Sequence, residues 1–141
     1  MARIKTSSAK AKGRRLQQWC CERIARIVGI EWGPDEEIAS REMGQAGTDV
    51  RLSPRVRKLF PFSVECKWQE TWSVPEFIRQ ARANRMPDTD WLLILRRSRE
   101  REIAVIDAEL FFWLIDNISA DALCQRISDE YNGVKGGEED E

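Results

Sequence analysis

The stretch that decides the expected fold is Phe62-Ser63-Val64-Glu65-Cys66-Lys67-Trp68-Gln69. Its apolar and polar residues alternate, and the pattern predicts a strand because successive side chains of a β-strand point to opposite faces. The apolar side chains are expected to pack into the core, while the other face displays the Glu65 carboxylate beside the Lys67 ammonium. A Glu-x-Lys pair is also typical of an ordinary amphipathic strand with water over its polar face. The pair alone therefore establishes no site.

An acidic residue upstream supplies a second carboxylate. Gly47-Thr48-Asp49-Val50 places Asp49 in a short strand directly after a glycine-bearing turn, and a neighbouring strand would bring it to Glu65. Two converging carboxylates repel each other unless a cation lies between them. Magnesium would bind both, together with the backbone carbonyl of Cys66. Lys67 would then orient or help deprotonate an attacking water, or stabilise the charge that develops on a phosphate.

The composition narrows the chemistry further. The 141 residues include no histidine, which excludes Ser-His-Asp catalysis, Cys-His catalysis and His-ligated zinc sites. Any hydrolysis must therefore use carboxylates, lysine and a hard metal ion. The cysteines have no CxxC spacing and are interpreted as reduced, mostly buried residues of a cytosolic protein: Cys20, Cys21, Cys66 and Cys124. No apolar run approaches the ~20 residues of a membrane span, and the N-terminus does not resemble a secretory signal, so we expect a cytoplasmic protein.

The order of the predicted elements favours the α/β class. We expect a basic, flexible arm at 1–14, a single domain at 15–132 and an acidic, disordered tail at 133–141. A basic arm suits contact with phosphates, and the alternative is that both ends are simply solvated. Hydrophobic periodicity predicts helices at 16–28, from 75 to about 85, at 108–117 and at 119–131, with strands at 38–43, 48–52, 62–68, 91–95 and 103–106. A basic connector is expected at 55–61.

Three motifs carry a resemblance to a known family: Lys-Gly-Arg-Arg-Leu at 12–16, the Gly-x-Asp turn at 47–49 and Phe-Pro-Phe-Ser-x-Glu-Cys-Lys at 60–67. The chain resembles the PD-(D/E)xK nuclease superfamily, and more narrowly its small phage-encoded Holliday junction resolvase or endonuclease proteins, over roughly residues 12–113. The resemblance implies a restriction-endonuclease-like core of αβββαβ order, with a mixed central sheet flanked by helices and further C-terminal helices. It also implies hydrolysis of DNA with Mg²⁺, for which Mn²⁺ would substitute, by a homodimer in the host cytoplasm if the protein is phage-encoded.

Family roles carry over to the matching residues. The resemblance implies that Asp49 and Glu65 are metal ligands and that Lys67 is the catalytic lysine. Gln80 falls where relatives often place a glutamine facing the site from the crossover helix, and the alternative is a solvated helix glutamine. Thr48 replaces the proline of the nominal motif, which is common in so divergent a superfamily.

The first helix departs from the family pattern. Many relatives carry an acidic residue there, but the spacing after Lys12-Gly13 points to Gln17. Glu22 projects nearly opposite Gln17 on a helical wheel, so we expect Gln17 to be the site neighbour and Glu22 to be a surface residue. The set then has one carboxylate fewer than usual, which leaves the number of metal ions open.

Basic and aromatic residues are candidates for contact with DNA. The basic ones lie on the arm and between the two motif strands: Lys12, Arg14, Arg15, Arg51, Arg55, Arg57 and Lys58. For the second group a solvated loop is the alternative. Trp68 and Trp72 lie next to the site, where packing is favoured over stacking on a base. Trp19, Trp91 and Trp113 are expected in the core.

The favoured function is that of a Holliday junction resolvase or branched-DNA endonuclease. One alternative is a restriction-like or nicking endonuclease on duplex DNA. The other is a noncatalytic DNA-binding protein on a nuclease scaffold, for which Gln17 is the best argument. A homodimer interface is expected on the apolar C-terminal helices, which alternatively pack on their own sheet: Phe111, Phe112, Trp113 and Ile115.

Overall fold

The computed structural model describes residues 6–42 and 45–138. These residues form a mixed α/β structure with the following helices and strands: α1 (Thr6–Val28), β1 (Ile38–Ser40), β2 (Val50–Leu52), α2 (Pro54–Leu59), β3 (Phe62–Trp68), α3 (Val74–Ala83), β4 (Asp90–Arg96), β5 (Ile103–Val105), α4 (Ala108–Asp116) and α5 (Ala120–Glu138). In the part of the chain described, no helix is both long and apolar enough to cross a membrane. Residues 1–5 of the predicted arm, 43–44 at the predicted end of the first strand, and 139–141 of the predicted tail lie outside the described residues.

Two sheets organise the strands. β3 and β4 pair in parallel, with Phe62 opposite Asp90 and Trp68 opposite Arg96, and β5 pairs antiparallel with β4. The parallel pair needs a crossover connection, which α3 provides. β1 and β2 form a separate antiparallel pair. A backbone hydrogen bond of 3.1 Å from Asp49 N to Val64 O brings the start of β2 to the free edge of β3.

Helix α1 covers one face of this arrangement. Leu16, Cys20 and Ile24 are buried against β1, β2 and β3 in one apolar cluster. The helix ends at Gly29, whose φ of 71° is left-handed and suits glycine. It begins at Thr6, ten residues before the predicted start at 16. Residues 6–15 have no apolar stripe to predict from, but alanine, lysine and arginine favour helix there, so much of the predicted arm is helical.

Helix α3 covers the opposite face of β3 and β4. Phe77 and Ala81 pack with Trp91, Leu93 and Leu95 in a second apolar cluster. β4 is buried on both sides, as its continuous apolar run predicts, and the prediction that Trp91 belongs to the core is confirmed.

The predicted connector at 55–61 contains a short helix, α2, instead. The Ser53 hydroxyl accepts a hydrogen bond from Val56 N and caps the helix, and Pro54 occupies its first turn. Serine followed by proline is a helix-start signal, and Ser53-Pro54 is such a signal directly before the predicted connector. Val56 is the buried residue that fixes α2 to the core.

The contacts divide the chain into two compact units, 1–106 and 107–141, and the boundary lies inside the predicted domain at 15–132. In the second unit Asp107 caps α4 through hydrogen bonds from Glu109 N and Leu110 N. No residue of α4 is buried, and Trp113 is 59% exposed. The prediction that Trp113 belongs to the core is therefore wrong, because a helix that is apolar on several sides has no single inward face to identify.

Candidate active site

The structure brings Asp49, Glu65 and Lys67 together at the free edge of β3. The Asp49 and Glu65 carboxyl groups lie close enough for each to shift the pKa of the other. Lys67 Nζ lies 4.0 Å from Glu65 Oε1. The strand alternation predicted that Glu65 and Lys67 share a face, and the structure agrees with this geometry.

Asp49 is held rigidly by the backbone around it. Its Oδ2 accepts a hydrogen bond of 2.8 Å from Cys66 N, one residue from Glu65. Its carbonyl accepts a bond of 2.8 Å from Arg41 N, and Arg41 Nε donates to the Thr48 carbonyl. These bonds fix the carboxylate against β3 without using all of its acceptor positions.

The turn before Asp49 depends on Gly47. Its φ of 111° lies where side-chain-bearing residues are strained, and a Cβ there would meet the Arg41 guanidinium at 3.0 Å. Arg41 can therefore lie against the turn only because residue 47 has no side chain. Arg41 was not among the predicted site residues. It follows β1 directly, and only the pairing of β1 with β2 reveals its closeness to Asp49.

The polar face of β3 is covered by α3 and the residues that follow it. The sequence predicted a face that displays its charges, but Glu65 is only 6% exposed. Asn84 Nδ2 donates to Glu65 Oε2 at 3.3 Å, and Lys67 Nζ lies 5.4 Å from the centre of the Phe77 ring. The burial arises because the crossover helix lies directly over the strand whose pattern looked half-solvated.

Gln80, the predicted site glutamine of α3, lies one turn before Asn84 and is half-buried. Among the described residues its side-chain amide has no hydrogen-bond partner. Asn84, which was not among the predicted site residues, is the amide that contacts Glu65. Phe77, Ala81 and Asn84 recur at helical spacing, so extending the apolar stripe of α3 by one turn would have identified it.

The electrostatics of the carboxyl pair are unfavourable for two negative charges. Burial, followed by the charge of Asp49, raises the pKa of Glu65 to about 7. Burial also raises the pKa of Asp49, although the Cys66 N–H and the Lys67 ammonium oppose the shift. A pair in this state favours a shared proton or a bound cation, since either removes the repulsion.

Cys66 separates Glu65 and Lys67 in the chain and points to the other face. Its Sγ lies 3.6 Å from Cys20 Sγ of α1 in the core. The hydrogen bond with Cys20 and burial raise the pKa of the Cys66 thiol, which keeps it protonated and unreactive. Cys20, Cys21 and Cys66 are buried free thiols, as predicted, whereas Cys124 is exposed. Within 6–42 and 45–138, no group of three or more His, Cys, Asp and Glu side chains is placed to hold a metal ion.

A cavity of about 270 Å³ opens beside Asp49, and its lining is rich in cations. Lys10, Arg14 and Gln17 of α1 line it together with Arg41 and Asp49. Gln17 therefore neighbours the site, as its spacing predicts. Glu22 is exposed and lines a different cavity with Arg26 and Trp32.

The other predicted DNA-binding residues are not gathered at this cavity. Arg55 forms an ion pair with Glu37 at 2.5 Å, and Arg57 Nη1 donates to the Leu52 carbonyl at 2.7 Å. Arg51 Nη2 donates to the Pro34 carbonyl at 3.0 Å, and Lys58 is exposed on α2.

Three cations instead surround the half-buried ring of Trp68, at the far end of β3. The Lys12 ammonium lies 5.8 Å from the centre of the ring, and the guanidinium carbons of Arg15 and Arg96 lie at 5.2 and 4.1 Å. Lys12 also donates to Ser98 Oγ. Trp72, half-buried, carries Arg97 over its ring, and half-buried Trp19 packs against the core. Both Trp68 and Trp72 therefore pack within the protein.

Comparison of the chain with protein-family models, curated proteins and solved structures found no match.

Proposed function

We propose that the protein is a metal-dependent endonuclease that hydrolyses DNA phosphodiester bonds, with a restriction-endonuclease-like core. The observation that carries the proposal is that the half-buried Asp49 carboxyl, held on Cys66 N, interacts with the buried Glu65 carboxyl beside a lysine and a cavity lined by cations. In a structural ion pair, each carboxylate lies next to its own cation. In this site two carboxyl groups lie next to each other, an arrangement that suits a divalent cation and a phosphate.

The residues present fit a magnesium ion, for which manganese would substitute. Asp49 and Glu65 supply oxygen ligands of the kind that hard cations prefer. The N–H of Cys66 points to Asp49, and the N–H and C=O of one strand residue point to the same edge, so the Cys66 carbonyl faces the same side. Such an ion supplies Lewis acidity, which activates water and neutralises charge on the phosphate.

The chain's own groups have separable tasks. The Lys67 ammonium, held between Glu65 and Phe77, positions the attacking water or stabilises the phosphate oxygens as charge develops. Lys10, Arg14 and Arg41 bind the phosphate groups beside the scissile bond. Gln17 lines the cavity, where its amide can donate and accept hydrogen bonds to orient substrate or water without adding charge.

The proposal is tested by cleavage of labelled DNA with and without Mg²⁺. Asp49→Ala and Lys67→Ala are each expected to reduce the rate by about 1,000-fold or more while DNA binding persists. Lys58→Ala is the matched control, because Lys58 is an exposed lysine of α2 and its loss should leave the rate unchanged. Full activity in either site variant would overturn the proposal.

The favoured substrate is a Holliday junction or another branched DNA, cut by a homodimer because two symmetric strands must be cleaved. Rates on four-way junction, flap, nicked and linear duplex DNA at matched salt test this choice. A preference for linear or nicked duplex would instead assign a restriction-like or nicking endonuclease. Equal rates on all four substrates would refute resolvase specificity.

A second candidate is a noncatalytic DNA-binding protein on the same scaffold. The observation that favours it is the donor set, since Gln17 stands at the cavity where a third carboxylate would complete a richer metal site. Calorimetric titration separates the candidates. Binding of Mg²⁺ or Mn²⁺ that is lost in Asp49→Ala supports the nuclease, whereas junction binding without any metal binding supports the noncatalytic protein.

A further inference from the structure

A second cavity lies next to the one at Asp49. Its volume is about 770 Å³, and it shares Arg14, Arg41, Glu42 and Gln45 with the first cavity. Its remaining lining residues belong to α1, to the segment after it and to the β1–β2 pair: Gln18, Trp32, Gly33, Pro34, Asp35, Ser40 and Arg51. We call this cavity the Trp32 groove. A ligand that enters the site at Asp49 can therefore extend past Arg14 and Arg41 into it.

The groove offers the groups that an unpaired nucleotide needs. Trp32 is half-buried, packing on the core cluster while lining the groove, and such a ring can stack on a base. Arg14 is exposed and forms no hydrogen bond or ion pair with any described residue. Its guanidinium is therefore available to a phosphate.

Two further side chains suit the edge of a base. Gln18 and Ser40 are half-buried in the groove, and within the described residues their side chains make no hydrogen bonds. The lining holds three arginines against the acids Asp35 and Glu42, so its charge is only mildly positive. A weak net charge of this kind favours recognition by stacking and hydrogen bonding over indiscriminate attraction of polyanions.

We propose that the Trp32 groove is a subsite for unpaired nucleotides of DNA flanking the phosphate held at Asp49. The inference rests on the proposed nuclease function and, among its branched substrates, favours DNA with a single-stranded segment next to the cleavage point over a fully paired junction. Stacking on Trp32 needs a base whose face is uncovered, and in a duplex that face is covered by the next pair. The groove has the size of a small-ligand pocket, which accommodates one or two nucleotides.

The test measures equilibrium binding of fluorescein-labelled DNA by the full chain in the absence of divalent metal. The probes are one blunt duplex and the same duplex with a four-nucleotide overhang at either the 5′ or the 3′ end. The protein should bind one overhang form about 10-fold more tightly than the blunt form. Arg14→Gln and Trp32→Leu should each reduce that ratio to about 2-fold or less, because they remove the phosphate contact and the stacking surface.

Arg23→Gln is the matched control, since Arg23 is another exposed arginine of α1 that lines neither the groove nor the site cavity. It should keep the full ratio. Trp32→Leu removes packing as well as stacking, so Arg14→Gln, an exposed change, keeps the test decisive if Trp32→Leu fails to fold. Equal affinity of the unsubstituted protein for all probes, or an unchanged ratio in Arg14→Gln, would refute the subsite.

The outcome is independent of cleavage because no metal is present. Metal-dependent cleavage without any preference for overhangs would remove the subsite and leave the proposed function. A preference that depends on Arg14, in a protein that cleaves no DNA with Mg²⁺, would retain the subsite and remove the nuclease.

Discussion

Two carboxylates of this protein, Glu37 and Glu65, differ in how they contact neighbouring cations. Glu37, at the entry to β1, accepts hydrogen bonds from Ser53 Oγ and Arg55 Nε at 2.9 and 3.1 Å, and its other oxygen lies 2.5 Å from Arg55 Nη2. Glu65 has the Lys67 ammonium at 4.0 Å, and its charge is opposed by the nearby carboxyl group of Asp49. The hydrogen bonds from Arg55 and Ser53 lower the pKa of Glu37, whereas burial and Asp49 raise that of Glu65.

The opposite pKa shifts of Glu37 and Glu65 distinguish a surface ion pair from a candidate binding site. Glu37 and Arg55 satisfy each other in solvent, where such pairs contribute little to stability. The Glu65 region leaves its charges incompletely matched inside the protein, which costs free energy unless something binds there. Basic residues that are close in sequence, such as Arg51, Arg55 and Arg57, are therefore poorer candidates for substrate contact than Arg14 and Arg41, which lie beside the carboxyl pair.

The largest contrast is expected between the arginines of the two regions. Arg41→Gln should lower the DNA cleavage rate by about 100-fold, because it removes a cation beside Asp49 and the bond to the Thr48 carbonyl. Arg55→Gln should change the rate by less than about 2-fold. Single-turnover cleavage at saturating Mg²⁺ measures both. A loss in Arg55→Gln as large as that in Arg41→Gln would contradict the distinction.

The turns before Asp49 and before Glu37 should also respond differently. Gly47→Ala is expected to destabilise the protein by about 2 kcal/mol, since it strains a positive φ and collides with Arg41. Gly33→Ala, in the turn before Glu37, adds a Cβ 3.2 Å from a flexible Glu36 carbon and needs no positive φ, so its cost should be much smaller. Urea unfolding compares them, and equal losses would show that the Arg41 contact is unimportant.

The smallest expected effect is on the pH dependence of folding stability, to which Glu65 and Glu37 contribute with opposite sign. The folded protein raises the pKa of Glu65 from its ordinary value to about 7. Protonated Glu65 therefore contributes its full share of the folding stability below pH 4.5. That contribution is lost as the pH rises through 7 and Glu65 ionises in the folded protein. Glu65→Gln should raise the Tm of the metal-free protein at pH 8 by about 5 °C and change it little at pH 4.5.

Glu37→Gln provides the matched control for this measurement. The lowered pKa of Glu37 means that its stabilising effect is present above its ordinary pKa and disappears as the pH falls through the folded value. The variant should therefore be slightly less stable at pH 8 and not more stable. Differential scanning calorimetry in EDTA compares the two variants. A Glu65→Gln protein that is less stable at pH 8 would contradict the proposed cost of ionising Glu65 beside Asp49.

The sequence predicted the elements whose patterns are local. β3 agrees with its predicted bounds because alternation over seven residues leaves little freedom of register, and α3 agrees to within two residues at either end. Helix α1 was predicted too short because residues 6–15 carry no periodic apolar signal. The helix at Pro54–Leu59 was missed because a single buried residue, Val56, gives no periodicity.

The site was predictable to the extent that it lies on one strand. Glu65 and Lys67 share a face by alternation, and the Gly47 turn pointed to Asp49. Arg41 and Asn84 were missed because they reach the carboxyl pair through the pairing of β1 with β2 and through the packing of α3. Such contacts depend on tertiary arrangement, which neither composition nor spacing specifies.

The parallel register of β3 and β4 also determines when the site can exist. A growing chain contains Asp49, Glu65 and Lys67 once residue 67 has been made, but Asn84 and all of β4 are still missing. β3 can complete its pairing with β4 only after the crossover helix and Arg96, the partner of Trp68, have been made. Pairings so distant in sequence require closure of a long loop and form slowly. During synthesis the chain therefore contains Asp49, Glu65 and Lys67 before the residues that bury Glu65 exist, and the contact of Glu65 with Asn84 forms only after α3 is complete.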